Sequence, residues 1–376
     1  MKLLAHMNFF QQPIDWGALR VPNRVFLAPL AGVSDVPFRR ICQELGAGLT
    51  YVEMLSAVAV HRRNKRTMDM CVRHEAEPLL GVQVTGRSAP EVADAVAFLS
   101  KLPFDTIDLN MGCSVRKVIA SGSGSAVLSE PDRLSATVES AKTATTLPLS
   151  VKTRLGISRD ALTIEDTARR VAEAGADGFT VHGRTQEERY DAPADRAGIT
   201  RGVAAARAAA RQPIVTVGNG DLFHWQAARD MREQTDCDAV MISRGALGNP
   251  WIFREVLEQR TVHPTLAEWG DVVLRHLDYQ EEHYGDTQLA AILSRKHLLW
   301  YIKGFPCNKA LAPRLGHVER IAEARACIRE YLAQWPDDIV RFEGAHRTDA
   351  RLGEHSKYDP KYEMSREHDR GVGSEL

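Results

Sequence analysis

The feature that most constrains this chain is a regular alternation of two kinds of segment. Eight short apolar runs rich in β-branched residues recur over the first 260 residues. They lie near 24–30 (RVFLAPL), 49–54 (LTYVEM), 79–84 (LLGVQV), 105–110 (DTIDLN), 148–154 (PLSVKTR), 177–182 (DGFTVH), 213–217 (PIVTV) and 238–243 (DAVMIS). Between them lie Ala-rich amphipathic stretches such as EVADAVAFLSKL (91–102), TIEDTARRVAEAGA (163–176) and HWQAARDMREQT (224–235), which read as helices. Some close in a Gly-containing turn before the next run, as in ELGAG (44–48) and EAGADG (173–178). Strands apolar on both faces and alternating with helices imply a parallel sheet covered by helices. Eight such units predict a (β/α)₈ TIM barrel of the α/β class over residues 1–260. A doubly wound sheet is the alternative, but rarely stays this regular over eight units.

The strand signal then stops. Segments 265–284, 288–303 and 318–335 carry helical periodicity, separated by Gly285-Asp286 and by KGFPCNKALAPRLG (303–316), and predict a small all-helical domain over 261–335. From 336 to 376 seventeen of 41 residues are charged and large apolar residues are sparse, which predicts a flexible acidic tail.

Composition matters for what it excludes. A hydrophobic share of 44% with 26% charged residues supports a large core. The longest stretch free of Asp, Glu, Lys and Arg is 12 residues, too short for the roughly 20 that span a bilayer, and the N-terminus lacks a signal-peptide pattern. Six cysteines (42, 71, 113, 237, 307, 327) show no CxxC and no metal-ligand spacing, which predicts a cytoplasmic protein without a metal. The net charge of −1 argues against a polyanionic partner only until the chain is divided. The tail holds 7 Lys and Arg against 10 acids, which leaves the body at +2; residues 295–330 hold eight Lys and Arg against three acids. That run makes Arg295, Lys296 and Lys303 candidate phosphate contacts, although such runs are more often solvated faces.

Chemistry in a barrel sits at the C-terminal strand ends. Those ends are polar here: Pro29-Leu30-Ala31-Gly32, Gln83, Asn110-Met111-Gly112-Cys113, Lys152 with Arg154, His182-Gly183-Arg184, Gly218-Asn219-Gly220-Asp221 and Ser243-Arg244-Gly245. The Gly-rich ends of the last two strands suit a phosphate, with Arg244 adding a charge-assisted contact; ordinary turn chemistry is the plainer reading of either loop alone. Lys152 inside a strand calls for an anion. A reduced flavin would supply one, with Gln83 on its pyrimidine edge; alternatively Lys152 reaches along its strand to water. Cys113, beside Asn110 and ahead of the Gly/Ser-rich stretch 121–126, is a candidate general acid on a mobile loop. A lone Cys is more often a small buried hydrophobe.

Six strings in order, APLAGVSDVPFR (28–39), DLNMGCSVRKV (108–118), VKTRLG (151–156), VHGRT (181–185), GNGD (218–221) and ISRGALGNPWIF (242–253), give a chain that resembles the tRNA-dihydrouridine synthases over residues 20–335, closest to their bacterial B-type branch. The resemblance implies FMN in the barrel, a helical tRNA-binding domain, and NADPH or NADH as electron donor. It implies that Pro29, Leu30 and Ala31 line the flavin, that Gln83, Lys152 and His182 contact it, and that Asn219, Gly220, Asp221, Ser243 and Arg244 hold its phosphate. Cys113 would give the proton, with Asn110, Arg154 and Arg184 around the target uracil; His182 and the two arginines could instead brace the mouth. Three positions depart from the family pattern: Ser114 where Pro follows the Cys, Ser243 where Gly is usual, and Gly218 in place of Ala. The expected partners are tRNA and the nicotinamide donor, with no membrane, for a monomer. The rival expectations are a dihydroorotate dehydrogenase-like FMN barrel acting on a free pyrimidine, and an inactive RNA-binding barrel.

Overall fold

The computed structural model describes residues 8–306 and 308–341. The chain divides into two compact units, Met1–Val262 and His263–Leu376.

Among the described residues the first unit contains ten strands. A short antiparallel hairpin, β1 (Ile14–Trp16) and β2 (Leu19–Val21), precedes the eight parallel ones. These are β3 (Val25–Leu27), β4 (Thr50–Ser56), β5 (Leu80–Thr85), β6 (Thr106–Met111), β7 (Leu149–Arg154), β8 (Gly178–His182), β9 (Val215–Asn219) and β10 (Ala239–Ile242). Each lies on one of the eight apolar runs. Consecutive strands from β4 to β10 pair parallel, with a register shift between Val52 and Leu55 on β4, and β10 pairs with β3. A parallel bridge between Phe26 and Leu49, with the Leu27 N–H donating to the Leu49 carbonyl at 2.9 Å, joins β3 to β4 and closes the ring. All six residues of β5 and all five of β8 and of β9 are buried, as strands covered on both faces must be.

The hairpin explains what fills the lower end. Gly17 takes φ +59° in the two-residue turn, a conformation a side chain disfavours. The turn sends Trp16 among the lower strands, where it is fully buried, its ring 5.6 Å from that of Phe26, in one apolar cluster with Tyr51, Val217 and Met241. Gly178, first in β8, leaves the indole its space: a β-carbon there would lie 2.2 Å from Trp16 Cζ2. The hairpin was not expected from the sequence, because three-residue strands carry no usable periodicity. With the lower end plugged, the open end of the barrel is the C-terminal one.

The second unit is helical: Leu266–Tyr284, Gln288–Tyr301, Asn308–Leu315 and Ile321–Leu332. Thr265 and Glu268 form a reciprocal capping box at its start. Trp269 anchors its core, donating from Nε1 to the Tyr301 carbonyl (2.9 Å) with its ring 5.2 Å from Phe305 and 5.9 Å from Tyr331. Two expectations change here. The stretch 303–316, read as a separator because of its glycines and prolines, contains the helix Asn308–Leu315 with Pro313 inside it. Residues 336–341, expected to belong to the tail, are tied to this unit: Leu266 and Ala267 donate backbone N–H groups to Ile339 and Asp337, Thr265 bridges Val340, and Arg341 Nε reaches the Lys303 carbonyl at 2.7 Å. The rest of that tail, 342–376, lies outside the described residues. Among the described residues no helix is long and apolar enough to cross a membrane.

Candidate active site at the barrel mouth

Strand alternation sends every second residue of β5, β6 and β7 into the barrel. There Gln83, Asp108, Asn110, Ser150 and Lys152 build a polar interior toward the C-terminal end. Gln83 donates from Nε2 to Asp108 Oδ2 (2.7 Å) and accepts at Oε1 from Asn110 Nδ2 (2.8 Å). Ser150 Oγ donates to Asp108 Oδ1 at 2.6 Å. Asn110 Oδ1 accepts the backbone N–H groups of Gly112 (3.1 Å) and Cys113 (2.9 Å). Cys113, half-buried at the mouth, is therefore held by a chain of hydrogen bonds rooted inside the barrel. Gln83 is 1% exposed, and one Nε2 hydrogen is the only donor it has left for a ligand.

The loop after Cys113 was expected to be mobile, but it is anchored. Ser125 donates N–H (3.0 Å) and Oγ (2.8 Å) to the Cys113 carbonyl. The N–H of Gly124 donates to Thr85 Oγ1. Glycines and serines here serve close approach: Gly124 has φ +61°, and a β-carbon on it would lie 2.7 Å from the Cys113 carbonyl oxygen.

Lys152 is half-buried, and its Nζ donates to Asn219 Oδ1 at 3.1 Å. Asn219 points its oxygen this way because its Nδ2 serves the Met241 carbonyl (2.7 Å) and Ser243 Oγ (3.1 Å). Burial lowers the Lys152 ammonium to about 8, opposed by the nearby Asp108 carboxylate. Burial likewise raises Asp108 to about 6, opposed by its hydrogen bonds to Gln83 and Ser150 and by Lys152.

The ends of β8, β9 and β10 form a second cluster. Arg184, 1% exposed, clasps the Asp221 carboxylate through Nη2 (2.8 and 2.7 Å). Its Nε donates to the Ala192 carbonyl (2.7 Å) and its Nη1 to His182 Nε2 (3.1 Å). Of the two roles expected for Arg184, beside the uracil or bracing the mouth, these contacts favour the brace: every guanidinium nitrogen has a partner within the mouth itself. Arg154, 5% exposed, has the same character, donating to the carbonyls of Gly112 (2.8 Å) and Thr185 (2.6 Å) and so tying the cysteine loop to the loop after β8. His182 is neutral, because burial and then the cations Arg154, Lys152, Arg184 and Arg244 push its pKa well below the usual value. Accepting at Nε2, it carries its proton on Nδ1.

Asp221, expected among the phosphate contacts, is a carboxylate that also accepts from Arg244 Nη2 (3.1 Å). It aims Arg244, whose guanidinium also lies 4.0 Å from the Tyr190 ring centroid. Gly220 (φ +126°) and Gly245 keep the backbone close; a β-carbon on Gly245 would fall 2.0 Å from the Leu222 carbonyl oxygen. Pro29 and Leu30 are half-buried and Ala31 exposed, directly after β3, where the Ala28 N–H reaches the Ile242 carbonyl beside Ser243. Hydrogen bonds link Gln83, Asn110 and Cys113 in one group, Lys152, Asn219 and Ser243 in a second, and His182, Arg184, Asp221 and Arg244 in a third.

Arg295, Lys296 and Lys303 belong to the second unit. Arg295 gives Nε and Nη2 to the Val318 carbonyl (3.0 and 2.8 Å), so part of its guanidinium is structural. Residues missed by the sequence reading are Asp108, Ser150, Tyr190 and Ser125. Asp108 had a signal: it stands two residues before Asn110 on one strand and so shares its face.

Comparison with known proteins agrees with this picture. The family profile described as Dihydrouridine synthase (Dus) matches residues 26–334. The protein named tRNA-dihydrouridine synthase B of Pasteurella multocida is 33% identical over 298 residues, 78% of this chain and 87% of its own. The protein of the same name from Pseudomonas aeruginosa is 32% identical over 324 residues, 85% and 95% of the two chains. A probable tRNA-dihydrouridine synthase of Aquifex aeolicus is 33% identical over 312 residues, 82% and 96%. Among solved structures, histamine dehydrogenase from Rhizobium sp. 4-9 superposes with TM-score 0.50 at 12% identity over 88% of this chain and 65% of that one. The 6-hydroxypseudooxynicotine amine oxidase of Pseudomonas geniculata superposes with TM-score 0.51 at 14% identity over 71% of this chain, and the match spans about half (52%) of that longer chain. These two share the fold.

Proposed function

Because the chain belongs to the dihydrouridine synthase family, we propose that it reduces the C5=C6 bond of specific tRNA uridines to 5,6-dihydrouridine, with FMN as cofactor and NADPH or NADH as donor, in the cytoplasm. The observation that carries this reading is the convergence of a held cysteine, an interior lysine and an aimed arginine at one barrel mouth.

The residues present fit a flavin mononucleotide. Gly220, Gly245 and the aimed Arg244 offer close backbone and a cation to its phosphate, together with Asn219 and Ser243. Pro29, Leu30 and Ala31 line the wall. Lys152 and the remaining Gln83 donor suit the electron-rich edge of the ring system, and neutral His182 adds a donor at Nδ1 without further positive charge. A bound, reduced flavin supplies the hydride that C6 of the uracil receives.

The protein's own residues do the rest. A uridine must leave its stack to reach the mouth, which costs a few kcal/mol. Asn110, fixed by Gln83, holds the Gly112–Cys113 main chain through its Oδ1 and so sets the loop that meets the base. The Cys113 thiol gives its proton to C5 and regains one from solvent, so a hydride and a proton saturate one double bond. Arg154 and Arg184 hold the loops that carry these groups. Lys296, Lys303 and the uncommitted Arg295 donors serve tRNA phosphates.

The test is mass spectrometry of unmodified tRNA incubated with the purified protein, FMN and NADPH. A gain of two hydrogens on a D-loop uridine is expected. An unaltered tRNA alongside full reduction of free orotate or uracil would favour the free-pyrimidine reading instead.

A further inference from the structure

Asp108 takes no part in the chemistry just described, yet it is 1% exposed inside the barrel, with Gln83, Ser150, Lys152 and Tyr51 around it. A buried carboxylate is retained against a desolvation penalty, so its hydrogen bonds are informative.

The hydrogen-bond chain has a direction. At its outer end stand two backbone N–H groups, of Gly112 and Cys113, which only an acceptor can satisfy. Asn110 therefore presents Oδ1 outward and Nδ2 inward, and Gln83 must meet that Nδ2 with Oε1. Gln83 is left with Nε2 facing inward, where Asp108 accepts it at 2.7 Å. Ser150 Oγ satisfies the other carboxylate oxygen. An ionised carboxylate is acceptor-only, so it fixes the orientation of both amides. Were Gln83 to flip, Asn110 would follow and turn its NH₂ on two N–H donors.

We propose that Asp108 is a positioning residue: through the Gln83–Asn110 amide chain it sets the main chain of Cys113, and with it the place of the thiol at the mouth. The role of Cys113 rests on the function proposed above; the hydrogen-bond chain does not. Asp108 acts over two side chains and touches neither substrate nor cofactor.

The test compares Asp108→Leu, which abolishes the acceptor, with Asp108→Asn, which keeps one oxygen for Gln83 and turns its NH₂ to Ser150 Oγ. The first readout is the rate at which iodoacetamide alkylates Cys113 in the flavin-free full chain, followed by peptide mass spectrometry with Cys71 as internal reference. The expected result is a rise of about fivefold or more in Asp108→Leu and a change under about threefold in Asp108→Asn. In the flavin-loaded protein, reoxidation by tRNA should be slower by about tenfold or more in the Leu variant than in the Asn variant, while reduction by NADPH stays within about threefold between the two, since both remove the charge beside Lys152. A general loss of structure would depress both steps together. Should the Leu variant not fold, Gln83→Glu sets two carboxylates against each other and should speed alkylation. Adding Asp108→Asn restores a donor facing an acceptor and should return the rate to the parental one. Parental alkylation in a folded Leu variant, or failure of the double variant to restore it, overturns the proposal. Because alkylation needs neither tRNA nor flavin, these results stand apart from whether the protein makes dihydrouridine.

Discussion

Lys152 Nζ donates to Asn219 Oδ1 at 3.1 Å across the barrel interior, and Asn219 is held in that orientation by Met241 and Ser243. A cation on β7 is thereby aimed by an amide on β9, the strand that leads into the Gly220–Asp221 turn.

From this follows a pH dependence. Burial brings Lys152 to about 8, so it is charged below that pH and neutral above it. The rate at which NADPH reduces bound flavin should decline as pH rises through about 8. In Lys152→Met the rate should be lower by about tenfold or more, and that decline should vanish. Stopped-flow absorbance of the flavin measures both; equal profiles in variant and parent would sink the role.

Cys113→Ala should keep flavin and bind tRNA normally while losing about 10²- to 10⁴-fold in dihydrouridine formation, the range for loss of a general acid. Quantifying modified tRNA under single-turnover conditions decides it, and undiminished product would remove Cys113 from the mechanism.

Asp108 should make stability depend on pH with a definite sign. Its folded pKa of about 6 exceeds the ordinary aspartate value of 3.8, so the folded state keeps a proton between those values that the unfolded chain has released. Its contribution is most favourable below about pH 4 and is lost as pH rises to about 6, a penalty of about 1–3 kcal/mol. Asp108→Asn removes the titration. Urea denaturation should show the variant gaining on the parent between pH 4 and pH 7.5, and a constant difference would contradict the assignment.

Gly178→Ala should destabilise the barrel by about 1–3 kcal/mol, because the added methyl meets the Trp16 indole in a packed cluster. Pairing it with Trp16→Leu should recover part of that loss. Strictly additive losses in a double-mutant cycle would show that the two residues do not share the space.

Lys296→Ala and Lys303→Ala should each weaken tRNA binding and reduce the slope of log K against log salt by about 0.7–0.9 for each phosphate contact removed. Filter binding over a range of salt concentrations reads this, and an unaltered slope would place the contacts elsewhere.

The strand order was legible because a parallel strand covered on both faces must be apolar throughout, and all eight runs became strands. The polar strand ends were legible for the same reason: Lys152, Asn110 and Asn219 interrupt runs that otherwise need no polarity. Asp108 was passed over although it lies on the face of Asn110, because a single acid in a strand has no meaning until its partners on β5 and β7 are known. The hairpin Ile14–Val21 and the helix Asn308–Leu315 were too short or too rich in helix breakers for a periodic signal.

Sequence by itself determined the architecture, the family and the polar character of the strand ends. Those follow from continuous apolar runs, from the 3.6-residue helical period and from local strings, none of which requires contacts between distant parts of the chain. Tertiary structure alone decided what each polar residue does. Arg184 and Arg154 have the composition of ligand contacts, yet all three nitrogens of Arg184 and two of Arg154 are committed to Asp221, His182 and loop carbonyls, some of them more than 30 residues away. Whether a buried cation serves a ligand or its own scaffold depends on which acceptors surround it, and closure of the barrel is what brings those acceptors together.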